Sequence, residues 1–534
     1  MIDISDRIRN KAYISRVTTA EEAAKLIHPD DIVAVSGFTP AGYPKAVPLA
    51  LAKRIGREHF QITLYAGASI GDEIDGALAR VHGISRRFSY HTNKDLRREI
   101  NDGSVAYADY HVSVFAQLLK EGFMKRPDIV VVEAAAITEE GNLIPTTSVG
   151  TTPAMIDVCQ KVVVEINVTQ PLSLEGMHDV YDVPNPPFRV PVPIVHTGDR
   201  IGKPYITCGW DKIVAIVPCD IPDAPRSFKP VDENGRKMGN LIVQFFKDEV
   251  AKGRLPEHLL PLQSGVGSVA NAVIQGLAKS DFEHLSIFTE VLQDGMFTLI
   301  DAGKVDAVST ASISASPEGL KHFYEHIDEY RKKIVIRPQE ISNNPEVIRR
   351  IGAIAMNTAI EFDIYGQVNS THICGSRLMN GIGGSGDFAR AGYLTIFFTS
   401  STAKNGAISS VVPMCSHVDH TEHDVDILCT EQGIADLRGL SPVERARTII
   451  ANCAHPDYRD QLTDYLDRAI AATGSQHEPQ LLKEALSWQQ RYLETGSMKY
   501  TTLTSQIFPV CLVRVLCILC TSLDFYVGFR VQYK

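Results

Sequence analysis

Leu285-Ser286-Ile287-Phe288-Thr289-Glu290-Val291-Leu292-Gln293-Asp294-Gly295-Met296 carries an apolar, β-branched run that breaks at a carboxylate. Leu285 to Phe288 reads as a short buried strand, and Glu290 falls where that strand should end. In an open α/β sheet the carboxyl ends of strands border the ligand crevice. A carboxylate there serves as a nucleophile, a general base or a ribose ligand. Its competing role is purely structural, a strand-end Glu paired with a nearby lysine. Glu133 and Glu165 also lie in or after apolar runs, so position alone does not single out Glu290. Two glycine-rich stretches are the other half of the pattern. One is Gln263-Ser264-Gly265-Val266-Gly267-Ser268-Val269-Ala270-Asn271, and the second is Asn380-Gly381-Ile382-Gly383-Gly384-Ser385-Gly386-Asp387-Phe388. Glycines let backbone N–H groups approach a ligand closely, which suits phosphates or a developing oxyanion. Otherwise both stretches are merely tight turns.

The strand signal recurs along the chain. Residues 18–27 read as a helix capped by Thr18 or Thr19 ahead of Glu21 and Glu22. Strands are expected over 31–35, 61–65, 128–132, 161–166 and 212–217, with a helix over 45–55. Farther on come a helix over 240–252 and strands near 286–289, 305–309, 333–336, 393–398, 408–412 and 426–429. Continuous apolar strands separated by helical stretches indicate parallel sheets covered on both faces, so the fold class is α/β. Residues 218–235 carry four prolines among turn formers. That places a linker at 221–235 between α/β domains at 5–220 and 236–500. No sequence repeat relates the two halves. The site is expected in the cleft between them, because ligand sites favour such boundaries.

A chain of 534 residues exceeds the usual single core. At 44% hydrophobic and 22% charged residues it has the composition of an ordinary globular protein. The formal charge of −10 argues against nucleic acid or an anionic membrane as the main partner, though not against an anionic small molecule. Seven of the ten cysteines are scattered singly from Cys159 to Cys453, a pattern of free thiols rather than a disulfide framework. Acidic residues at Asp3, Asp6, Glu21 and Glu22 interrupt the basic N-terminal stretch, which weakens the case for a mitochondrial transit peptide. A cytoplasmic location is therefore expected, with mitochondria as the alternative. His417, His420 and His423 have the composition of a metal site, but their spacing matches neither the helical zinc pair nor a zinc finger, so no metal is expected. Residues 507–520 form an apolar, cysteine-rich run broken by Arg514, short of the roughly 20 residues that span a bilayer.

Further stretches join the pattern: Ser36-Gly37-Phe38-Thr39-Pro40-Ala41-Gly42-Tyr43-Pro44-Lys45, Gly67-Ala68-Ser69, Ser342-Asn343-Asn344-Pro345, His417-Val418-Asp419-His420, and Thr430-Glu431-Gln432-Gly433 running into Asp436-Leu437-Arg438-Gly439-Leu440-Ser441-Pro442. In order and content, from about residue 8 to 499, the chain resembles the acetyl-CoA hydrolase and succinyl-CoA:acetate CoA-transferase family. The resemblance implies two similarly folded domains, a homodimer, and no cofactor or metal beyond the substrate coenzyme A. It makes Glu290 the nucleophile of a covalent mechanism that passes through a glutamyl-CoA thioester. The backbone N–H groups of Val266 and Gly384 would meet the developing oxyanion. Gly265, Val266, Gly267, Ser268, Val269, Asn380, Gly384 and Lys404 match positions that contact CoA. Asn343 and Glu431 match polar positions near the carboxylate pocket, which Ser69 and Thr92 would line from the first domain. The substrates implied are acyl-CoA and small carboxylates: acetate, succinate, propionate. The residues after 500 depart from the family pattern, and are expected to be an atypical, poorly packed hydrophobic tail without stable membrane association.

Transfer of CoA between succinyl-CoA and acetate is the activity expected, with acetyl-CoA hydrolysis as the alternative. The two differ only in whether water or a carboxylate intercepts the acyl-enzyme. A remoter rival is an NAD-dependent oxidoreductase. Gly265-Val266-Gly267-Ser268-Val269-Ala270 satisfies the G-x-G-x-x-A fingerprint, and Glu290 lies about twenty residues on, where a ribose-binding acid belongs. That rival leaves the second glycine stretch unexplained. A non-catalytic CoA-binding subunit would be expected to lack the nucleophile.

Overall fold

The structure is a computed structural model that describes residues 2–224, 231–265, 267–474 and 476–500. Val266, part of the expected linker (225–230) and the hydrophobic tail (501–534) lie outside the described residues. Residues up to Met498 form one compact unit built on two large sheets.

In chain order the first sheet contains β1 (Ile32–Val35), β2 (Ile62–Tyr65), β3 (Ile84–Phe88), β4 (Ala106–Ala108), β5 (Ile129–Ala134), β6 (Val162–Asn167) and β7 (Ile213–Cys219). They lie in the order β4-β3-β2-β1-β5-β6-β7, and every neighbouring pair is parallel. The second contains β8 (Leu262–Ser264), β9 (Leu285–Phe288), β10 (Val305–Thr310), β11 (Ile334–Ile336), β12 (Ile354–Thr358), β13 (Leu394–Phe398), β14 (Ile427–Thr430) and β15 (Gly433–Asp436). Their order is β11-β10-β9-β8-β12-β13-β14-β15, parallel except for the last, antiparallel pair. Apart from that extra strand, the two sheets have the same winding. In each, the order reverses beside the first strand, between β1 and β5 and between β8 and β12. These reversals are the places where open α/β sheets bind ligands.

The expected α/β class is the one observed. Alternate side chains of the central strands enter different cores: Val33 and Val35 pack with the helix Ala46–Glu58, whereas Ala34 and Val130 join the core on the opposite face. That second core runs on without a break into the second sheet, through Leu262, Ile287, Ile354 and Ile396. The first helix covers Ala20–Ala24, and Thr19 caps it by accepting from the Glu22 N–H at 3.2 Å. The helix expected from 240 begins at Glu233, with Asp232 accepting from the Gly235 N–H. One strand expectation needs correction. Residues 408–412 lie in no large sheet: Ile408–Ser409 and Val411–Val412 belong to separate small ones. The apolar pattern there reflects burial beside the sheet, not a place within it.

Among the described residues no helix is long and apolar enough to cross a membrane, and no group of three or more His, Cys, Asp or Glu is arranged to hold a metal ion. The seven cysteines from Cys159 to Cys453 are free thiols.

Candidate active site

The backbone fixes Glu290 before its side chain does anything. The strand β9 ends at Phe288, and the Thr289 N–H donates to the Ser309 carbonyl at 3.0 Å. The Glu290 carbonyl then accepts from Ala311 N–H (3.0 Å), Ser312 N–H (3.1 Å) and Thr310 Oγ1 (3.0 Å). With its main chain held on three sides, the residue projects its carboxylate beyond the sheet edge.

That carboxylate enters a cavity of about 130 Å³ between the two halves. The first half supplies Phe38, Thr39, Ala68, Tyr90 and Val112 to the wall, and the second supplies Gly265, Asn357, Ser370 and the run from Asn380 to Ser385. Gly265 and Asn357 mark the reversal between β8 and β12, so the cavity opens at the topological switch point of the second sheet. Asn343 Nδ2 donates to Glu290 Oε1 at 2.8 Å, and the same nitrogen lies 3.3 Å from Asp387 Oδ2. Burial pushes the Glu290 carboxyl up to about 7, with the Asn343 hydrogen bond working against it. No cation among the described residues pairs with Glu290.

The contrast with Glu133 and Glu165 is instructive. Both sit on neighbouring strands, β5 and β6, at the reversal of the first sheet. Lys45 Nζ lies 2.5 Å from Glu133 and 2.8 Å from Asp223. Glu165 accepts from the N–H groups of Lys45, Ala46 and Val47 at 2.9, 3.0 and 2.7 Å, at the start of the helix Ala46–Glu58. These two carboxylates are consumed by structure. Glu290 is left facing open space.

Gly384 shows why the second glycine stretch has to be what it is. A Cβ added there would lie 1.9 Å from Glu290 Oε1 and 2.2 Å from Asn343 Nδ2. The demand is for space, since its φ of −102° suits any residue. A segment of the first half clamps this loop. Asp109 accepts from the Ile382 N–H at 2.7 Å, Val112 N–H donates to the Gly383 carbonyl at 3.2 Å, and Ser113 binds Asp387 through both its N–H (3.0 Å) and its hydroxyl (2.6 Å).

Of the residues expected at the site, Gly265, Glu290, Asn380 and Gly384 line the cavity, and Asn343 touches Glu290 from behind. Gly267 has a φ of +151° and opens the helix Ser268–Ala278, whose first two members are Ser268 and Val269. Val266 lies outside the described residues. Four others do not line the cavity. Glu431 is bound to Ser401, through its N–H at 2.8 Å and its hydroxyl; these bonds outweigh burial and hold the Glu431 carboxyl below its ordinary value. Lys404 is exposed on the turn between the short strands Thr402–Ala403 and Ile408–Ser409. Ser69 is buried with its hydroxyl against Gly37, and Thr92 lines a separate hollow with Lys94 and Arg97. Sequence reasoning missed Tyr90, Val112, Asn357 and Ser370 in the wall. Thr39 lay within a quoted motif without being singled out, as did Asp387.

Comparison with known proteins gives the site a context. The family model "Acetyl-CoA hydrolase/transferase N-terminal domain" matches residues 1–218, and "Acetyl-CoA hydrolase/transferase C-terminal domain" matches 319–466. The chain is 55% identical over 495 residues to a succinyl-CoA:acetate CoA-transferase of Clostridium kluyveri, covering 92% of each. It is 44% identical over 516 residues to an acetyl-CoA hydrolase of Schizosaccharomyces pombe, covering 93% of this chain and 98% of that one. RipA from Yersinia pestis has the same fold, with a TM-score of 0.66 at 24% identity over 85% of this chain and 98% of its own. On these matches, the chain belongs to the acetyl-CoA hydrolase/transferase family.

Proposed function

We propose that this protein is a CoA-transferase that moves CoA between an acyl-CoA and a small carboxylate, with Glu290 as its nucleophile. The observation that carries the reading is a carboxylate without a cationic partner among the described residues, held by Asn343 against Gly384 at the mouth of the interdomain cavity. Glu290 attacks the thioester carbonyl; the C–S bond breaks and CoA leaves as thiolate, giving a mixed anhydride. The thiolate attacks the glutamyl carbonyl, and the acyl group departs as a carboxylate, leaving glutamyl-CoA. An incoming acid runs the sequence backwards. Each attack places negative charge on a carbonyl oxygen, which the N–H groups of Val266 and Gly384 would receive. CoA is taken to run along Gly265, Gly267, Ser268, Val269 and Asn380 toward Lys404, with Glu431, Ser69 and Thr92 serving the carboxylate end. Coenzyme A is then the sole organic group needed, and it is a substrate.

The succinyl-CoA:acetate CoA-transferase that this chain resembles is named for two short acids. Acetate and succinate are the proposed pair, with propionate as a further acceptor. An enzyme that holds its acyl group as an anhydride must keep water from it, which favours transfer over hydrolysis. Hydrolysis remains the second reading, because the chain also resembles a protein named as an acetyl-CoA hydrolase. We further propose a homodimer in the cytoplasm, with mitochondria as the alternative compartment. Acetyl-CoA consumption with and without succinate decides between the two activities: transfer requires an increase of about 100-fold or more with succinate, judged by what a positioned reactant contributes. Equal rates would make the protein a hydrolase. Borohydride added to enzyme and acyl-CoA without acceptor should reduce the thioester and mark Glu290; a mark on Glu133 or Glu431 would move the nucleophile.

A further inference from the structure

Asn343 presents one amide nitrogen to two carboxyl groups. Its Nδ2 lies 2.8 Å from Glu290 Oε1 and 3.3 Å from Asp387 Oδ2, and an NH2 group has one hydrogen for each. The amide cannot turn over freely, because its oxygen accepts from Ser342 Oγ at 2.9 Å. Asp387 is buried. Ser113 N–H reaches its Oδ2 at 3.0 Å and Ser113 Oγ reaches its Oδ1 at 2.6 Å. Three donors therefore converge on Asp387, and one on Glu290. We propose that Asp387 is a positioning residue that, across Asn343, keeps Glu290 as an electrostatically strained carboxylate in the resting site and thereby favours its conversion to the neutral glutamyl thioester.

Two carboxylates that share one donor repel, so the second of the pair to ionise does so beside an existing anion, and the two titrate as a pair. Asp387 has three donors to the one of Glu290. Burial pushes both carboxyls up to about 7, and the repulsion between their charges adds to the effect of burial at Asp387. Among the described residues the neighbouring elements supply no compensating cation. His111, ahead of the helix Val112–Lys120, packs its ring against Gly386, and burial lowers its proton affinity. His420, which contacts Ser385, is lowered to about 4 by burial. Glu340, on the turn that leads to Asn343, and Asp109, which holds Ile382, are acids raised to about 7 and about 6 by burial. Arg390, on the helix of Asp387 itself, points outward toward Asp424.

The proposal rests on Glu290 being the nucleophile. As the glutamyl thioester forms, the thiolate sulfur bonds to Glu290 Cδ, the bond from Cδ to the bridging oxygen breaks with its electron pair going to that oxygen, and the acid leaves with it, carrying the negative charge. The repulsion between Glu290 and Asp387 exists before this exchange and is gone after it, so it favours the thioester.

Asp387→Asn keeps the shape and removes the charge. Ser113→Ala takes one donor from Asp387, which then ionises less readily. Both are made in the full chain, and two quantities are read: the acid limb of kcat/KM against pH, and the fraction of Glu290 captured by borohydride at subsaturating acetyl-CoA without acceptor. In Asp387→Asn the limb should move down by about one pH unit and the exchange constant toward thioester should fall about tenfold. Ser113→Ala should move both the same way by less, and it decides the matter where Asp387→Asn fails to fold. An unmoved limb and an unchanged thioester fraction would overturn the role of Asp387. Absence of any adduct in the wild type would overturn the nucleophile, and this proposal with it.

Discussion

As the proposed nucleophile, Glu290 would trade stability for reactivity, and the trade has a pH signature. Its carboxyl is raised from an ordinary value of 4.5 to about 7 by burial. Between these values the folded protein holds more protons than the unfolded chain, so stability falls as pH rises, and the full penalty is present above 7. Glu290→Gln removes the penalty, so the variant should be more stable than wild type at pH 8, by up to about 3 kcal/mol, and about equal near pH 4.5. Thermal melts of both proteins at the two pH values test this; a gain of the same size at both would assign it to packing. From the residues alone, Glu290 was legible only as one of three strand-associated glutamates. Glu133 and Glu165 were ruled out by what the fold brings to them, Lys45 in one case and a helix start in the other. Those contacts join residues about ninety to a hundred and twenty apart in the chain, and no local pattern encodes them.

At the level of elements, the two glycine stretches differ in what they tolerate. Gly384→Ala puts a methyl group into Glu290 and Asn343, whereas the nearest neighbour of an added Cβ at Gly265 is Asn357 Oδ1 at 3.3 Å. Gly384→Ala should lower kcat by about 100-fold or more, because a shift of roughly 1 Å in a reacting group has that effect. Gly265→Ala should retain most of it; steady-state rates for the pair provide the check. The glycines were conspicuous in the sequence, but the reason for Gly384 was not, since it lies in side chains from two other elements. The same limit applies to the strands. Long apolar ones such as Ile129–Ala134 and Val162–Asn167 were evident, being buried along their whole length. The strands β3 and β4 went unseen: one contains Arg86 and Arg87, the other has three residues. So did β8, also of three residues, and β12, whose Asn357 belongs to the cavity wall.

The whole molecule is two sheets of one winding, joined closely enough to share a core. That kinship was invisible as a sequence repeat, because strand order depends on pairing between distant segments. The junction itself is partly ionic. Arg337 follows β11 of the second sheet and is fully buried, donating to Asp179 of the first half, to Ser309 Oγ at 2.8 Å, and to the Asp199 carbonyl. Asp179 in turn accepts from the N–H groups of Ile201 and Gly202 at 2.9 and 2.7 Å. Burial lowers the proton affinity of Arg337 and the charge of Asp179 opposes that loss, so removing Asp179 strands a cation in the interior. Breaking such a pair from one side costs about 3–5 kcal/mol, whereas replacing both members with apolar groups often costs little. Asp179→Ala should therefore lower the melting temperature well beyond Asp179→Leu combined with Arg337→Met. Since Glu290 lies where the halves meet, the single variant should also lose transferase activity at temperatures below its own unfolding. Equal melting temperatures for the single and double variants would show that this ion pair does not hold the halves together.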